Sequence, residues 1–289
     1  MGYLHIDNLY INQDILMFKE CYAMEKIHGT SANIMFKKHN KNTVSFFSGG
    51  EKHEKFVKLF DKDRLYEKLK YLETDVIIYG EAYGGKQQGM RHTYGNDLKF
   101  IAFDVKINDN WLNVPDAEKF CKELELEFVY YTKIKTDINI IDKEKSKPSV
   151  QAVRNGIGEP KTKEGLVLRP LIELKKNNGS RIISKHKNDE FKETSTSRKV
   201  IDPEKLKILE NAKEIANEWC THMRLIHVLD KIKISDIKDM RKLISGMQED
   251  IKREGNNEIK WSVAVEKEIA RQTSILFKEK LKNELYIND

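Results

Sequence analysis

Cysteine and long apolar runs are both scarce in this chain of 289 residues. Its three cysteines, Cys21, Cys121 and Cys220, are far apart and form no C-x-x-C pair. This spacing argues against a disulfide framework and against a structural zinc site. No stretch approaches the roughly 18 apolar residues of a membrane-spanning helix, and the first residues lack the basic and apolar regions of a signal peptide. We therefore expect a cytoplasmic protein with no membrane partner.

The chain also lacks a strong excess of either charge. Charged residues make up 34% of the sequence and hydrophobic residues 39%, a balance typical of a globular protein rather than a disordered one. The net charge is +6, and all of this excess lies in residues 1–199, because residues 200–289 contain 17 basic and 17 acidic residues. A mildly positive field suits a nucleotide or nucleic-acid partner, although scattered solubility charge explains it equally well.

The first two hundred residues predict mostly β-strands. Short runs rich in β-branched and aromatic residues, bounded by Gly, Asn or Asp, occur at 42–48, 75–85, 99–107, 126–134, 164–174 and 181–187. Between them, apolar residues recur at helical spacing at 51–72 and 114–126. This pattern predicts an α+β fold whose strands are mainly antiparallel.

Residues beyond Lys199 predict helices. The pair Asp202-Pro203 is typical of a helix start, and apolar residues then recur at three- and four-residue steps as far as Ile226. Further helical patterns follow at 237–252 and 262–285. We therefore predict two domains, an α+β domain at 1–199 and a small all-helical domain at 200–289.

Polar residues stand at the ends of several predicted strands. Lys26 and His28 follow one apolar run, Glu81 ends another, and Glu164 directly precedes a third. Each of these alone is as well explained by an ordinary solvated strand end. Together they would supply a nucleophilic amine and the carboxylates that bind a ribose hydroxyl or a hydrated metal ion.

Two lysines on one strand complete this set. Lys185 and Lys187 are two residues apart and so share one face of a strand, whereas His186 points to the other face. Neighbouring like charges repel each other unless water or a polyanion lies between them. If this face lines a cleft, phosphate is the natural ligand; if it is exposed, solvation suffices.

In their order along the chain, these residues resemble the motifs of the covalent nucleotidyltransferase superfamily, which comprises the polynucleotide ligases and the mRNA capping enzymes. The motifs are Lys26-Ile27-His28-Gly29, Glu81, Phe103-Asp104-Val105, Glu164-Gly165 and Lys185-His186-Lys187. The sequence around Lys26, "EKIHGT", is similar to the RNA ligases of the phage nick-sealing and RNA-editing group. DNA ligases and capping enzymes usually carry Asp where this chain has His28, and usually continue into a strand-rich domain.

The resemblance implies an ATP-dependent RNA ligase with an adenylyltransferase domain at its start. Lys26 would form a lysyl-AMP intermediate, the AMP would pass to an RNA 5′-phosphate, and a 3′-hydroxyl would displace it. The implied cofactors are ATP and Mg²⁺, or Mn²⁺ in its place. The implied partner is RNA with 3′-hydroxyl and 5′-phosphate ends, a nicked duplex in the first instance. We expect a monomer, in the host cytoplasm if the source is viral.

The resemblance assigns these residues to the nucleotide site: Glu25, Lys26, His28, Gly29, Glu81, Phe103, Glu164, Lys185 and Lys187. It implies that Glu25 and Lys26 border the adenine pocket, that Phe103 stacks on the base and that Glu81 binds the ribose.

For the phosphate side of the site, the resemblance implies that Glu164 orients metal-bound water and that Lys185 and Lys187 grip the α-phosphate. It implies that His28 serves the pyrophosphate or the RNA end, without a more closely defined role. An arginine expected after the first motif is missing, because Ser48, Gly49 and Gly50 stand there.

Alternative functions remain open at this point. A DNA ligase or a capping-type guanylyltransferase would share the lysyl-nucleotide chemistry. A non-catalytic RNA-binding relative would share the fold, and an unrelated α+β protein could carry these residues by coincidence. Arg169, Arg181 and Arg198 are candidates for RNA backbone contact, but we expect each to be a surface charge.

Overall fold

The computed structural model describes residues 2–38, 43–196, 200, 211–234, 236–256 and 258–287. The chain divides into two compact units, Met1–Asn188 and Asp189–Asp289. The predicted boundary after Lys199, the predicted helix start at Asp202-Pro203 and Arg198 all lie outside the described residues.

Antiparallel strands form the framework of the first unit. They are β1 (Glu20–Lys26), β2 (Thr30–Lys37), β3 (Thr43–Ser48), β4 (Val76–Tyr83), β5 (Lys99–Ile107), β6 (Asn110–Trp111), β7 (Tyr131–Lys135), β8 (Gly165–Pro170) and β9 (Ser184–Lys187). One sheet has the order β7-β1-β8-β9, and the other has the order β3-β2-β4-β5-β6. All the neighbouring pairs are antiparallel. The predicted α+β class with antiparallel strands is therefore confirmed.

Alternation along the strands decides which side chains enter the core. In β2, Ala32, Ile34 and Phe36 are almost fully buried, whereas Ser31, on the opposite face, is half-buried. Glu81 of β4 pairs in register with Ser31, so it belongs to the same face as that serine. The apolar face of the five-stranded sheet thus packs inside, and the other face carries polar side chains.

The predicted strand at 126–134 divides between the two sheets. Residues around Phe128 pair with Ala102 of β5, through hydrogen bonds from Ala102 N to Glu127 O (2.8 Å) and from Val129 N to Ala102 O (2.9 Å). The chain then crosses to the other sheet, where β7 pairs with β1. Because one strand cannot follow two sheets, the regular strand begins only at Tyr131.

Short helices connect these strands. They are α1 (His53–Val57), α2 (Lys62–Leu69), α3 (Arg91–Tyr94), α4 (Val114–Glu123), α5 (Ile138–Lys145) and α6 (Val150–Arg154). The single helix predicted at 51–72 is wrong in one respect, because the chain ends α1 and starts again at α2. The Asp61 carboxylate accepts a hydrogen bond from Arg64 N (3.0 Å) and caps this second start. Apolar spacing did not reveal α5 and α6, which have few turns and begin at the caps Asp137 and Ser149.

The second unit is helical, with α7 (Ala212–Trp219), α8 (His222–Ile232), α9 (Met240–Glu254) and α10 (Val263–Ile287). Apolar side chains from all four helices, including Trp219, Leu243 and Phe277, form its core. The predicted continuous helix through 226 is broken, because Thr221 caps α8 by accepting a hydrogen bond from Arg224 N (3.2 Å). In the described part of the chain, no helix is long and apolar enough to cross a membrane.

Candidate active site

The ends of β1, β8 and β9 bring two lysines to one face of the four-stranded sheet. Lys26, the last residue of β1, is in register with Gly165 of β8, and Gly165 is in register with Lys187 of β9. Residues in register share a face. A Cβ at Gly165 would lie only 2.2 Å from the His186 carbonyl oxygen, so only glycine allows this close approach. The motif residues Glu164-Gly165 thus join the two lysine-bearing strands.

Glu164 is the centre of the site. Its Oε2 lies 2.9 Å from Lys26 Nζ and 3.2 Å from His28 Nδ1, and its Oε1 lies 3.0 Å from Lys187 Nζ. The Glu164 side chain is only 2% exposed. Burial by itself would raise the pKa of this carboxyl, but Lys26, Lys187 and His28 hold it well below its ordinary value. Glu164 is therefore an ionised carboxylate that binds three basic groups from two motifs.

Lys26 remains the accessible group of this cluster. Its side chain is 24% exposed, whereas those of Glu164 and His28 are buried. An amine attacks through its lone pair, so Lys26 Nζ can act as a nucleophile only after it leaves the ion pair with Glu164 and loses a proton. The arrangement can hold a partly exposed amine beside a buried, charged carboxylate.

Glu81 faces this cluster from the five-stranded sheet. Burial raises the pKa of its carboxyl to about 8, although Lys26 and a hydrogen bond from the Gly29 backbone oppose the shift. A Cβ at Gly29 would lie 2.4 Å from the Ala82 carbonyl oxygen, so the turn that follows Lys26 can rest on β4 only because residue 29 is glycine. Below pH 8 the Glu81 carboxyl is mostly neutral and can donate a hydrogen bond as well as accept one.

Phe103, the expected base platform, lies at a β-bulge. The register between β4 and β5 shifts between Tyr79 and Gly80, which leaves Phe103 as the extra residue. A bulge re-aims a side chain, and the half-buried Phe103 ring meets the edge of the Tyr3 ring with centroids 4.9 Å apart. Its role in base stacking stays a prediction.

Glu25 points away from Lys26, as consecutive residues of a strand must. Its carboxylate accepts hydrogen bonds from Ser149 Oγ (2.5 Å), Val150 N (2.9 Å) and Gln151 N (3.3 Å). The Glu25 side chain is thus hydrogen-bonded to the start of α6. Its predicted place at the border of the adenine pocket stays a prediction.

Lys185 lies two residue pairs along β8 and β9 from the pair Gly165–Lys187. It is in register with Val167 of β8, and its backbone pairs with Asp7 and Leu9 of the N-terminal segment. The structure therefore places Lys185 on the same face as Lys187. Its contact with phosphate stays a prediction.

Arg169 and Arg181 correct the sequence-based expectation, because neither is a surface charge. Their side chains are 1% and 3% exposed, and both donate to the buried Asp104 carboxylate, at 2.9 and 2.7 Å. Glu173 binds both guanidinium groups as well, and Tyr3 donates its hydroxyl proton to Asp104 (2.6 Å). The aspartate of the "FDV" motif thus anchors a buried ionic cluster.

Sequence reasoning missed Tyr3, Glu173 and the Ser149–Gln151 turn, none of which stands in a strand-end pattern.

The family model "RNA ligase" matches residues 19–187, which is more than half of the chain and contains every motif quoted above. The chain belongs to the RNA ligase family. The predicted relationship to the RNA ligases is therefore confirmed, and the family assigns the chain to the ligase class of enzymes.

Solved structures show the same fold. A Naegleria gruberi RNA ligase variant with AMP and Mn matches with a TM-score of 0.51 and 14% identity, covering 66% of this chain and 57% of that one. The same ligase with PPi matches with a TM-score of 0.50 and 14% identity over the same shares. A further variant with ATP and Mn gives 0.50 and 13%, covering 66% and 56%. The chain thus spans little more than half the length of these structures. No curated protein sequence matches this chain.

Proposed function

We propose that this RNA ligase joins RNA 3′-hydroxyl and 5′-phosphate ends through a lysyl-AMP intermediate on Lys26. The observation that carries the proposal is the position of Lys26 Nζ, 2.9 Å from the buried Glu164 carboxylate, with Lys187 on the other oxygen of that carboxylate. An accessible amine beside fixed cations is the equipment that phosphoryl transfer needs.

The proposed reaction has three steps, and in each of them one bond to phosphorus forms as another breaks. Lys26 Nζ, after losing a proton, attacks the α-phosphorus of ATP; a P–N bond forms and the P–O bond to pyrophosphate breaks. The RNA 5′-phosphate then attacks the same phosphorus, which frees Lys26 and leaves AMP on the RNA end. Finally the 3′-hydroxyl attacks the RNA phosphate and AMP leaves. Lys187, which pairs with Glu164, would meet the phosphate charge in the first step.

The residues fit a divalent metal that is held mainly by substrate. Mg²⁺ usually takes one or two protein carboxylates together with phosphates and water. Within the described residues, no group of three or more His, Cys, Asp or Glu could hold a metal ion by itself, and Glu164 is the ionised carboxylate at Lys26. Glu164 would hold the water of a bound Mg²⁺ or Mn²⁺, which would neutralise phosphate charge.

The proposed substrate is an RNA nick, and the protein would act as a monomer. The positive excess of residues 1–199 supports an anionic polymer as partner. The RNA ligase family supports RNA rather than DNA as that polymer.

The test is covalent labelling with α-labelled ATP and Mg²⁺, followed by denaturing electrophoresis. Wild type is expected to retain the label, and Lys26→Ala to lose it. Lys37→Ala is the matched control, because Lys37 also ends a strand and pairs with a carboxylate, Asp75, at 2.8 Å. Label that persists on Lys26→Ala would contradict the proposal, and labelling by GTP instead of ATP would indicate a guanylyltransferase.

An unlabelled wild-type protein is resolved by a second measurement. A protein that already carries AMP releases ATP when pyrophosphate is added, whereas a non-catalytic relative releases none. Sealing is then measured on nicked RNA duplexes that differ only in having a 5′-phosphate or a 5′-hydroxyl. Sealing of the first alone, with adenylylated RNA as an intermediate, is the expected result.

A further inference from the structure

Beneath the strand that carries Lys26 lies a buried polar network that the proposed chemistry does not use. Glu25, the residue before Lys26, is almost completely buried, and its carboxylate accepts hydrogen bonds from the Ser149 hydroxyl and from the first backbone N–H groups of α6. Ser149 also caps α6 by accepting a bond from Ala152 N (3.0 Å). A buried carboxylate is stable only when such donors satisfy it.

Helix α6 is also bound to the other sheet. The Gln151 side-chain amide donates to the Tyr83 hydroxyl (2.8 Å) and to Glu127 Oε1 (3.0 Å). Tyr83 ends β4, two residues after Glu81. Ser149, Gln151 and Tyr83 are all fully buried. A continuous chain of hydrogen bonds therefore runs from Glu25 of β1, through α6, to β4.

The turn after Lys26 rests on the same network. The His28 backbone N–H donates to the Tyr94 hydroxyl (3.3 Å), and the Tyr94 ring packs edge-on against the Tyr83 ring with centroids 5.2 Å apart. The Tyr94 backbone carbonyl in turn accepts a bond from Asn155, just beyond α6 (2.9 Å). Lys26 is thus fixed from the residue before it and from the turn after it.

We propose that Glu25, Ser149 and Gln151 form a clamp that positions Lys26 Nζ for attack on the α-phosphorus of ATP. Glu25 is here a positioning residue, not a nucleotide ligand. The proposal rests on the proposed function, because it assigns the clamp to the first of its three steps. It follows from strand geometry: the side chain of Glu25 is locked on one face, so the peptide that carries Lys26 on the other face cannot rotate or slide.

The clamp predicts a specific kinetic defect. In-line attack tolerates little misplacement, and a shift on the order of 1 Å can reduce a rate about 100-fold. Glu25→Gln keeps the shape but replaces one accepting oxygen with a donor amide that faces the N–H groups of α6. We expect the single-turnover rate of lysine adenylylation at saturating ATP to fall by roughly tenfold to 100-fold, with less than about a twofold change in ATP affinity.

A later step provides the internal control. RNA that already carries AMP on its 5′-phosphate needs only the attack of the 3′-hydroxyl, in which Lys26 is not the nucleophile. Glu25→Gln is expected to seal this substrate within about twofold of wild type. Gln151→Leu and Tyr83→Phe test the end of the network that reaches β4. The double variant Glu25→Gln/Gln151→Leu should lose little more of the adenylylation rate than the worse single variant, since residues of one network do not act additively.

Asp137→Asn is the matched control. Asp137 also caps a helix of the first unit, accepting a bond from Ile140 N (3.1 Å), but it is exposed and touches none of the clamp residues. Asp137→Asn should leave both rates unchanged.

Unchanged adenylylation in Glu25→Gln and Gln151→Leu would overturn the proposal. So would an equal loss of both steps, which would assign the network to folding alone. If Glu25→Gln does not fold, Tyr83→Phe, which removes a single hydroxyl, decides. Failure of the proposed function is distinguishable, because wild type itself would then form no lysyl-AMP.

Discussion

Asp104 lies at the centre of the buried ionic cluster, and replacing it by asparagine removes one charge while leaving the shape almost unchanged. The cluster contains two guanidinium groups, Arg169 and Arg181, and two carboxylates, Asp104 and Glu173, so its formal charge is zero. All four side chains are less than a tenth exposed. In Asp104→Asn, the two arginines share Glu173 as the remaining carboxylate of the cluster, and one positive charge stays buried without a counter-ion.

The expected loss of unfolding free energy is about 3–5 kcal/mol, the usual result of removing one partner from a buried ion pair. Two observations support the upper part of this range. The Asp104 carboxylate also accepts the Tyr3 hydroxyl at 2.6 Å, which Asp104→Asn weakens, and the Arg181 guanidinium stacks on Trp111 at 4.0 Å, which limits its escape to water. Hydrogen bonds to charged groups contribute about 1.5–3 kcal/mol each.

The assay is urea denaturation followed by circular dichroism, with Asp109→Asn as control. Asp109 is near the end of the same strand, but its side chain is 95% exposed and its ion pair with Lys106 lies at the surface. This control should not change the midpoint measurably. A loss below about 1 kcal/mol in Asp104→Asn would refute the reasoning, since it would mean that water solvates the guanidinium groups as it does in a surface pair.

Two further predictions concern pH. Burial raises the pKa of Glu81 from 4.5 to about 8, so the folded protein keeps a proton that the unfolded chain releases, and stability from this group falls as pH rises from about 4.5 to about 8. Glu81→Gln should therefore lose less thermal stability than wild type over this interval; parallel curves would contradict this. In the second unit, Arg224 and Lys231 outweigh burial and lower the pKa of Asp250 to about 2. Its contribution should be lost as pH falls from about 4 towards 2, and Asp250→Asn should abolish that acid-sensitive part in acid titrations of unfolding.

Local signals explain where the predicted helices differ from the structure. The apolar spacing at 51–72 continues through the break at Asp61, because a cap residue does not disturb the periodicity on either side of it. The same is true of Thr221 between α7 and α8. Both residues are typical N-caps, but only the packed structure selects which of many Asp and Thr residues in a chain starts a new helix.

The sequence by itself determined the strand pattern, the shared face of Lys185 and Lys187 and the motif order that identifies the RNA ligase family. These features are local or ordered along the chain, and alternation in a strand is fixed by backbone geometry. Only the tertiary structure decided that Glu164 meets Lys26, from which it is separated by more than a hundred residues, and that the carboxylate of Glu25 turns instead to α6.

The same limit applies to Arg169, which looked like a surface charge in the sequence and is 1% exposed in the structure. Periodicity says that two side chains lie on one face or on opposite faces of a strand, but it does not say which face another sheet or helix will cover. Covering that face requires partners for every buried charge. For Arg169 these are Asp104 and Glu173, and the first of them comes from a different sheet, which only the folded chain brings near.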